Sequence, residues 1–176
     1  MRALRAACRL WRMSAPDPAS SRPTGTIPLL AAFLDEHREI LSACLDGLDE
    51  EEVRRRLVPS RTTLLGLVKH ATFVERVWFE EARTGTSRVE LGLPADAGDS
   101  FELAPQDTIE SVGTGFRAAC EASRAATAAL DGDEVWSGNR RGPLAVTWIL
   151  LHVLREHAQH AGHADILREQ ILAARG

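Results

Sequence analysis

The chain of 176 residues is poor in cysteine and has no long apolar run. Its three cysteines, Cys8, Cys44 and Cys120, are too few and too widely spaced for a disulfide framework or a zinc ribbon. No apolar stretch reaches the roughly 18–20 residues that a membrane helix requires. These absences exclude a disulfide-stapled secreted domain and a membrane-spanning protein, and they predict a soluble protein of the reducing cytoplasm.

The sequence also lacks an excess of positive charge. Its formal net charge is -4, whereas binding to a phosphate backbone requires a concentrated basic surface. An arginine cluster at residues 54–56 follows four acidic residues at 49–52, a pattern typical of a solvated helix face with ion pairs along it. We therefore expect neither nucleic acid nor a membrane among its partners.

Residues 1–25 differ in composition from the rest of the chain. They are arginine-rich and without acidic residues up to Met13, and then rich in proline, serine and threonine. A targeting peptide would explain the basic part, and a start codon assigned upstream of a true start at Met13 is the explanation we prefer. We predict a disordered or wrongly assigned extension over residues 1–25, followed by a single domain over residues 26–176.

No alternating strand pattern of useful length is present, while four long stretches have helical periodicity. They cover residues 28–45, 60–83, 107–130 and 143 almost to the end, and a short helix precedes Pro59. Residues 85–106 and 131–142 have no periodicity and are predicted to be loops that shape a pocket. The pattern predicts an all-α protein, a four-helix bundle with a short extra helix between helices 1 and 2.

Polar residues at the helix starts define the predicted caps. Asp49 with Glu52 three residues later has the capping-box pattern and opens the short helix. Asp107 with Glu110 has the same pattern and is predicted to open helix 3. Helix 4 is predicted to begin at Pro143, because proline is favoured in the first turn of a helix.

Three polar residues fall on helix faces that should be buried. Glu156 and His160 are four residues apart in helix 4, so they project from the same face one turn from each other. His70 lies at the edge of the apolar stripe of helix 2. Two imidazoles and one carboxylate form a three-ligand set with an open position, suited to zinc, nickel, iron(II) or manganese. On the pattern alone, both a metal site and hydrogen-bonded core histidines stay open.

The remaining histidines receive separate interpretations. His37 falls in the centre of the helix 1 stripe, where it is a candidate fourth ligand, catalytic acid or base, or core residue, and we interpret it as lining a pocket. His163 lies one turn after His160 and is a second candidate catalytic residue. His152 is placed to orient Glu156, and His157 is interpreted as structural.

Two segments carry a resemblance to a known family. SRTTLLGLVKHATFVERVWF (60–79) and WILLHVLREHAQHAGHADILRE (148–169) resemble the DinB-like superfamily and, within it, the mycothiol S-transferase-like branch, as does DTIESV (107–112). The resemblance covers about residues 27–172. It implies a four-helix bundle of the DinB/YfiT-like metalloenzyme type, with a metal held near one end by His70, Glu156 and His160. A His/Glu/His set is similar to the zinc site of mycothiol-dependent maleylpyruvate isomerase, which favours zinc.

The resemblance also implies an activity. Related proteins activate a low-molecular-weight thiol, such as mycothiol or bacillithiol, for reaction with an electrophile. We therefore expect a metal-dependent thiol transferase of detoxification or stress response, with a small-molecule thiol and an electrophile as partners. Arginine side chains could bind a carboxylate of the thiol or of the substrate, although each is equally well explained as surface charge; the candidates are Arg140, Arg141 and Arg168.

Two other functions are compatible with the same residues. A metal-dependent hydrolase would use an activated water, with His37 or His163 as the general base. A non-catalytic metal-binding or dimerisation bundle would close the site with a fourth protein ligand. A homodimer is compatible with all three functions, and the sequence does not identify its interface.

Overall fold

The computed structural model describes residues 24–130 and 134–175. The predicted extension over residues 1–25 therefore lies outside the described residues, apart from its last two positions. The described part of the chain is all-α, apart from one short two-stranded ribbon, as the periodicity predicts.

The helices begin and end close to the predicted positions. The elements are α1 (Thr26–Ala43), α2 (Glu50–Val53), α3 (Leu64–Arg76), a π-helical turn (Val77–Glu81), α4 (Ala82–Thr84), a 3₁₀ turn (Gly98–Phe101), α5 (Ile109–Thr127), β1 (Val135–Trp136), β2 (Leu144–Ala145) and α6 (Val146–Ala173). The predicted helix 2 is thus α3, the π-helical turn and α4 in direct succession. Such π-helical turns occur often at functional sites.

The two predicted capping boxes have different outcomes. Asp49 accepts a hydrogen bond from the backbone N–H of Glu52, whose side chain accepts one from the N–H of Asp49, so this box is confirmed. The box predicted at Asp107 and Glu110 is wrong, because Thr108 and Ser111 form the reciprocal pair that opens α5. The carboxylate of Asp107 is instead engaged by the ammonium group of Lys69 at 2.8 Å, which draws it away from the helix start.

The ribbon takes its second strand from the stretch predicted as the start of helix 4. Val135 pairs with Ala145 and Trp136 with Leu144 in antiparallel register, so α6 begins at Val146 and not at Pro143. The pairing holds the segment between β1 and β2 against the end of α4. Gly138 allows this approach, because a Cβ there would lie 2.4 Å from the carbonyl oxygen of Glu81.

Two apolar clusters form the core, one towards each end of the long helices. α1 packs mainly against α6, and α3 packs mainly against α5. One cluster contains Leu41, Phe116 and Leu167, and the other contains Leu34 and Val153. Between them, the same helices bury charged and polar side chains: Arg38, His70, Glu75, His157 and His160. This polar layer divides the core and contains the candidate site.

Among the described residues, no helix has the length and apolar character needed to cross a membrane.

Candidate metal centre

The structure brings together three potential metal ligands from two helices. His70 projects from α3, and Glu156 and His160 project from successive turns of α6. Their ligand atoms all lie within 4.8 Å of one another, and Nε2 of His160 is 3.7 Å from Oε2 of Glu156. Within residues 24–130 and 134–175, no fourth histidine, cysteine or carboxylate joins this cluster.

Burial keeps both histidines of the cluster uncharged at neutral pH. His70 is 6% exposed and His160 is 8% exposed. Desolvation by the surrounding protein lowers the pKa of His70 to about 3 and the pKa of His160 to about 4. A neutral imidazole has a lone pair on one ring nitrogen, so both rings are in the protonation state that metal binding requires.

A hydroxyl from the predicted loop over residues 85–106 fixes which ring nitrogen of His70 is free to bind a metal. Nδ1 of His70 lies 2.6 Å from Oγ of Ser100, and that hydroxyl donates its proton to the carbonyl oxygen of Ala97. Ser100 must therefore accept from His70, which places the proton on Nδ1 and leaves the Nε2 lone pair free. The ring of Phe101 stacks on the imidazole at 3.9 Å and holds its plane.

His160 provides the observation that tests whether a metal fits. Both of its ring nitrogens are buried, and neither has a hydrogen-bond partner among the described residues. Buried polar atoms are satisfied in nearly all native structures, and a metal ion on the lone pair of one of these nitrogens would supply a missing partner. A divalent transition metal suits the set, because two neutral imidazoles and one carboxylate are donors that zinc and its neighbours accept.

Replacing Ser100 with alanine should weaken zinc binding by about 10- to 100-fold, since outer partners of ligating histidines contribute that much to metal affinity. Ser100 is 1% exposed, and its hydroxyl holds the proton of His70 on Nδ1. Competition against a chromogenic chelator measures the dissociation constant. Ser60→Ala removes an exposed hydroxyl and should leave it unchanged. An affinity in Ser100→Ala within twofold of the parent would contradict the role of Ser100.

A buried ionic network lies behind the donor cluster, and sequence reasoning missed it. Glu75 of α3 accepts from Nε of Arg38 at 2.8 Å and from Nη2 at 2.7 Å. Nε2 of His157 lies 2.8 Å from the same carboxylate. Burial acts to raise the pKa of Glu75, but the hydrogen bonds from His157 and Arg38 lower it to about 2. Glu75 is therefore an ionised carboxylate at the centre of the fold.

The spacing of apolar residues contained a signal for this network. Arg38 is four residues after Leu34 and three before Leu41, so it falls on the buried face of α1. The prediction that His37 occupies the centre of this face is wrong, because Arg38 is 3% exposed and His37 is only half-buried. The partner of Arg38 lies on another helix, so the local pattern alone does not reveal this buried ion pair.

The two candidate catalytic histidines lie outside the three-donor cluster. His37 donates from Nδ1 to the carbonyl oxygen of Phe33 at 2.8 Å, within its own helix. His163 is exposed, and its ring centre is 5.9 Å from that of His160. Their catalytic roles stay predictions. His152 stacks on Trp148 at 5.0 Å, and within the described residues no hydrogen bond joins it to Glu156.

A pocket of about 260 Å³ opens beside the donor cluster. His70 and Glu156 line it, and so do residues from both predicted loops, including Arg88, Arg140 and Arg141. The two loops thus contribute to the pocket in the way the sequence predicts. Arg168 lies elsewhere: it donates to the carbonyl oxygens of Cys44 and Asp46 after the end of α1, and the geometry gives no support to a role in ligand binding.

Comparison with known proteins adds a family to this geometry. The family model described as mycothiol-S-transferase matches residues 29–173, which include the three donors and all of the long helices except the first three residues of α1. No curated protein matches the chain. Because the match covers most of the sequence, the chain belongs to the mycothiol S-transferase family.

Proposed function

We propose that the protein is a metal-dependent transferase that activates mycothiol, or a similar low-molecular-weight thiol, and conjugates it to an electrophile. His70, Glu156 and His160 hold a divalent transition metal, zinc in the first instance, with nickel, iron(II) and manganese as alternatives. The reaction serves detoxification or stress response in the cytoplasm. The long helices form a four-helix bundle of the DinB/YfiT-like type, and the working protein is a monomer or a homodimer.

The three-donor cluster with its orphaned buried nitrogens carries this proposal. A set of three protein ligands with an open position is the pattern of catalytic metal sites, whereas structural sites use four. A divalent ion held by these three residues would lower the pKa of a bound thiol and would so supply a thiolate at neutral pH. The family match supports a thiol as the group that takes the open position.

The side chains around the cluster have distinct tasks in this proposal. Ser100 and Phe101 fix the protonation and the plane of His70, so that Nε2 faces the site. Glu156 is half-buried and lines the pocket, which puts its carboxylate between the protein interior and the entering substrate. Trp78, from the π-helical turn, forms part of the apolar wall and excludes water from one side of the pocket.

A thiol-conjugation assay tests the proposed function. Untagged, zinc-loaded protein should accelerate the reaction of mycothiol with monochlorobimane by at least about 100-fold over the uncatalysed rate, a modest acceleration for an enzyme. Bacillithiol and glutathione serve as comparison thiols. Protein stripped by a chelator should be inactive, and re-addition of zinc should restore the rate.

Two further measurements separate the alternative functions. Turnover of p-nitrophenyl acetate without any thiol would favour the hydrolase. If the loaded protein conjugates none of the three thiols and binds none of them in titration calorimetry, the transferase proposal is wrong and a non-catalytic metal-binding protein is favoured.

A further inference from the structure

The side of α6 that faces away from the core carries large apolar side chains. Leu151 is 55% exposed and Ile166 is 56% exposed, although the core side of the same helix already carries Ile149, Val153 and Leu167. A surface helix of a monomer normally has one apolar stripe, and a helix with apolar residues on both sides is normally covered on both. The outward side of α6 therefore has the composition of a contact surface.

The residues of this outward side are centred on Gly162. At about 100° per residue, seven residues between positions 151 and 173 point within about 40° of the direction of Gly162. We call this set the outer face of α6, and it consists of Leu151, Arg155, Ala158, Gly162, Ile166, Glu169 and Ala173. All of them are exposed except Gly162, which is half-buried. None of the three metal donors belongs to it.

Gly162 is not explained by packing or backbone conformation within its own chain. In the described part of the chain, a Cβ at this position would have no neighbouring atom within 4 Å beyond its own helix backbone, and its φ is not positive. Glycine inside a helix destabilises that helix relative to alanine. Gly66 of α3 differs, because the backbone of Phe101 fills the space of its missing side chain. Gly162 leaves such a space on the outside of the protein, where another chain can approach closely.

The charges of the outer face are complementary to those of a second copy that runs in the opposite direction. Arg155 lies seven residues before Gly162, and Glu169 lies seven residues after it. Two antiparallel α6 helices that cross at Gly162 therefore place Arg155 opposite Glu169 of the second copy, whereas parallel helices would place like charges together. The side chain of Arg155 is 71% exposed and lies 3.7 Å from Oε1 of Glu156, and Glu169 forms no ion pair with any described residue. Both charges are thus free to pair across the contact.

The side-chain sizes of the outer face are complementary in the same arrangement. Ala158 and Ile166 are each four residues from Gly162, and Leu151 and Ala173 are each eleven residues from it. Each large apolar side chain therefore lies opposite an alanine of the second copy, which is the alternation that lets two helices interdigitate. At the crossing point glycine meets glycine, so the two backbones can approach closely.

α1 adds an exposed aromatic ring beside this face. Asp35 of α1 pairs with Arg124 of α5 at 2.9 Å, so the opposite side of α1, which carries Phe33, borders α6. The first halves of α1 and α6 share one apolar cluster, which puts Phe33 near the end of α6 that carries Leu151. Phe33 is 44% exposed. It enlarges the apolar surface that a second copy would cover.

We propose that the protein is a homodimer in which α6 packs antiparallel against α6 of a second copy, with Gly162 at the crossing point. A two-fold contact of this kind uses the same patch on both copies, so every pairing occurs twice. The apolar residues near the crossing stabilise the contact, and the two pairs of Arg155 with Glu169 set its direction. The inference does not depend on the proposed transferase function.

Analytical ultracentrifugation of the full, untagged, zinc-loaded chain tests the interface. We expect the parent to have twice the mass of one chain. Gly162→Leu should raise the dimer dissociation constant at least about 30-fold, because a bulky side chain separates the helices at the centre of the contact. Its circular dichroism should match that of the parent, since a side chain at this position meets open space within its own chain. Gly115→Leu is the matched control: in the described part of the chain, this exposed glycine of α5 has the same free space, and the variant should stay dimeric.

A charge exchange tests the antiparallel direction. Arg155→Glu and Glu169→Arg should each weaken the dimer at least about tenfold, because each variant opposes like charges at both pairs. The double variant should return to within about threefold of the parent, since it restores the pairing with the partners exchanged. The two positions are about 21 Å apart along one helix, so such recovery requires a second copy.

Three results would overturn the proposal. A parent that stays monomeric up to millimolar concentration would leave the outer face to a different protein. A Gly162→Leu dimer as tight as that of the parent would place the interface on another surface. Single charge reversals without effect, or a double variant that does not recover, would exclude the antiparallel pairing.

Discussion

Replacing His160 with alanine should reduce bound zinc from about one equivalent per chain to almost none, because a three-ligand site that loses one ligand keeps too few donors to hold the ion. His160 is the most informative ligand to remove. Among the described residues, neither of its buried ring nitrogens has a hydrogen-bond partner, so no hydrogen bond competes with a metal for the nitrogen that binds it. Elemental mass spectrometry on untagged protein, purified without chelator, measures the content.

His163→Ala is the matched control for this experiment. It removes an imidazole three residues further along the same helix, from an exposed position outside the three-donor cluster. The control should keep its zinc. Zinc retained by His160→Ala would contradict the site. A parent that takes up no zinc, nickel, manganese or iron(II) would reduce the inward histidines to core residues.

The donor cluster could be predicted because its geometry is mostly local. Glu156 and His160 are separated by one helical turn, so any helix over this segment places them on one face. His70 required one tertiary assumption, that α3 and α6 are neighbours. The apolar stripes of both helices favour this contact, and the resemblance to the DinB-like superfamily supports it. Neither the preference for zinc nor the catalytic residues could be predicted in this way, because both depend on more than the spacing of residues within one helix.

Ser100 could not be predicted, because its position depends on contacts between distant parts of the chain. It lies in a predicted loop without periodicity, and a 3₁₀ turn carries it onto α3. That approach depends on Gly66, where a Cβ would lie only 2.6 Å from the carbonyl oxygen of Phe101. The sequence shows the glycine, but it does not show that the backbone of Phe101 occupies the space where a side chain at residue 66 would lie. The same limit explains the cap at Thr108, since the contact of Asp107 with Lys69 is tertiary.

Replacing Glu75 with glutamine should destabilise the protein by about 3–5 kcal/mol, the usual cost of breaking a buried ion pair by removing one partner. Glu75 is 0% exposed and Arg38 is 3% exposed, so the guanidinium would lose its counter-charge in the core and keep only its ion pair with the half-buried Asp35 at 2.8 Å. For a domain of this size we expect a melting temperature lower by on the order of 10 °C. Urea unfolding followed by circular dichroism measures the loss.

Glu80→Gln is the matched control, because it breaks an ion pair of the same chemistry at the surface. Glu80 pairs with Arg76 at 2.8 Å, and both side chains are partly exposed. Exposed pairs of this kind contribute at most about 1 kcal/mol. A loss in Glu75→Gln no larger than in the control would show that the interior network is hydrated and contributes little to stability.

A double variant separates the cost of the orphaned charge from the value of the network. Arg38→Met combined with Glu75→Leu removes both charges and fills the space with apolar side chains, a change that is often neutral or stabilising for buried pairs. We expect it to recover most of the stability lost in Glu75→Gln, but not all of it. Nε2 of His157 would lose its partner, and an unsatisfied buried polar group costs about 1–3 kcal/mol. Full recovery would mean that His157 contributes nothing through this hydrogen bond, and no recovery would mean that packing at this layer, and not charge, requires the pair.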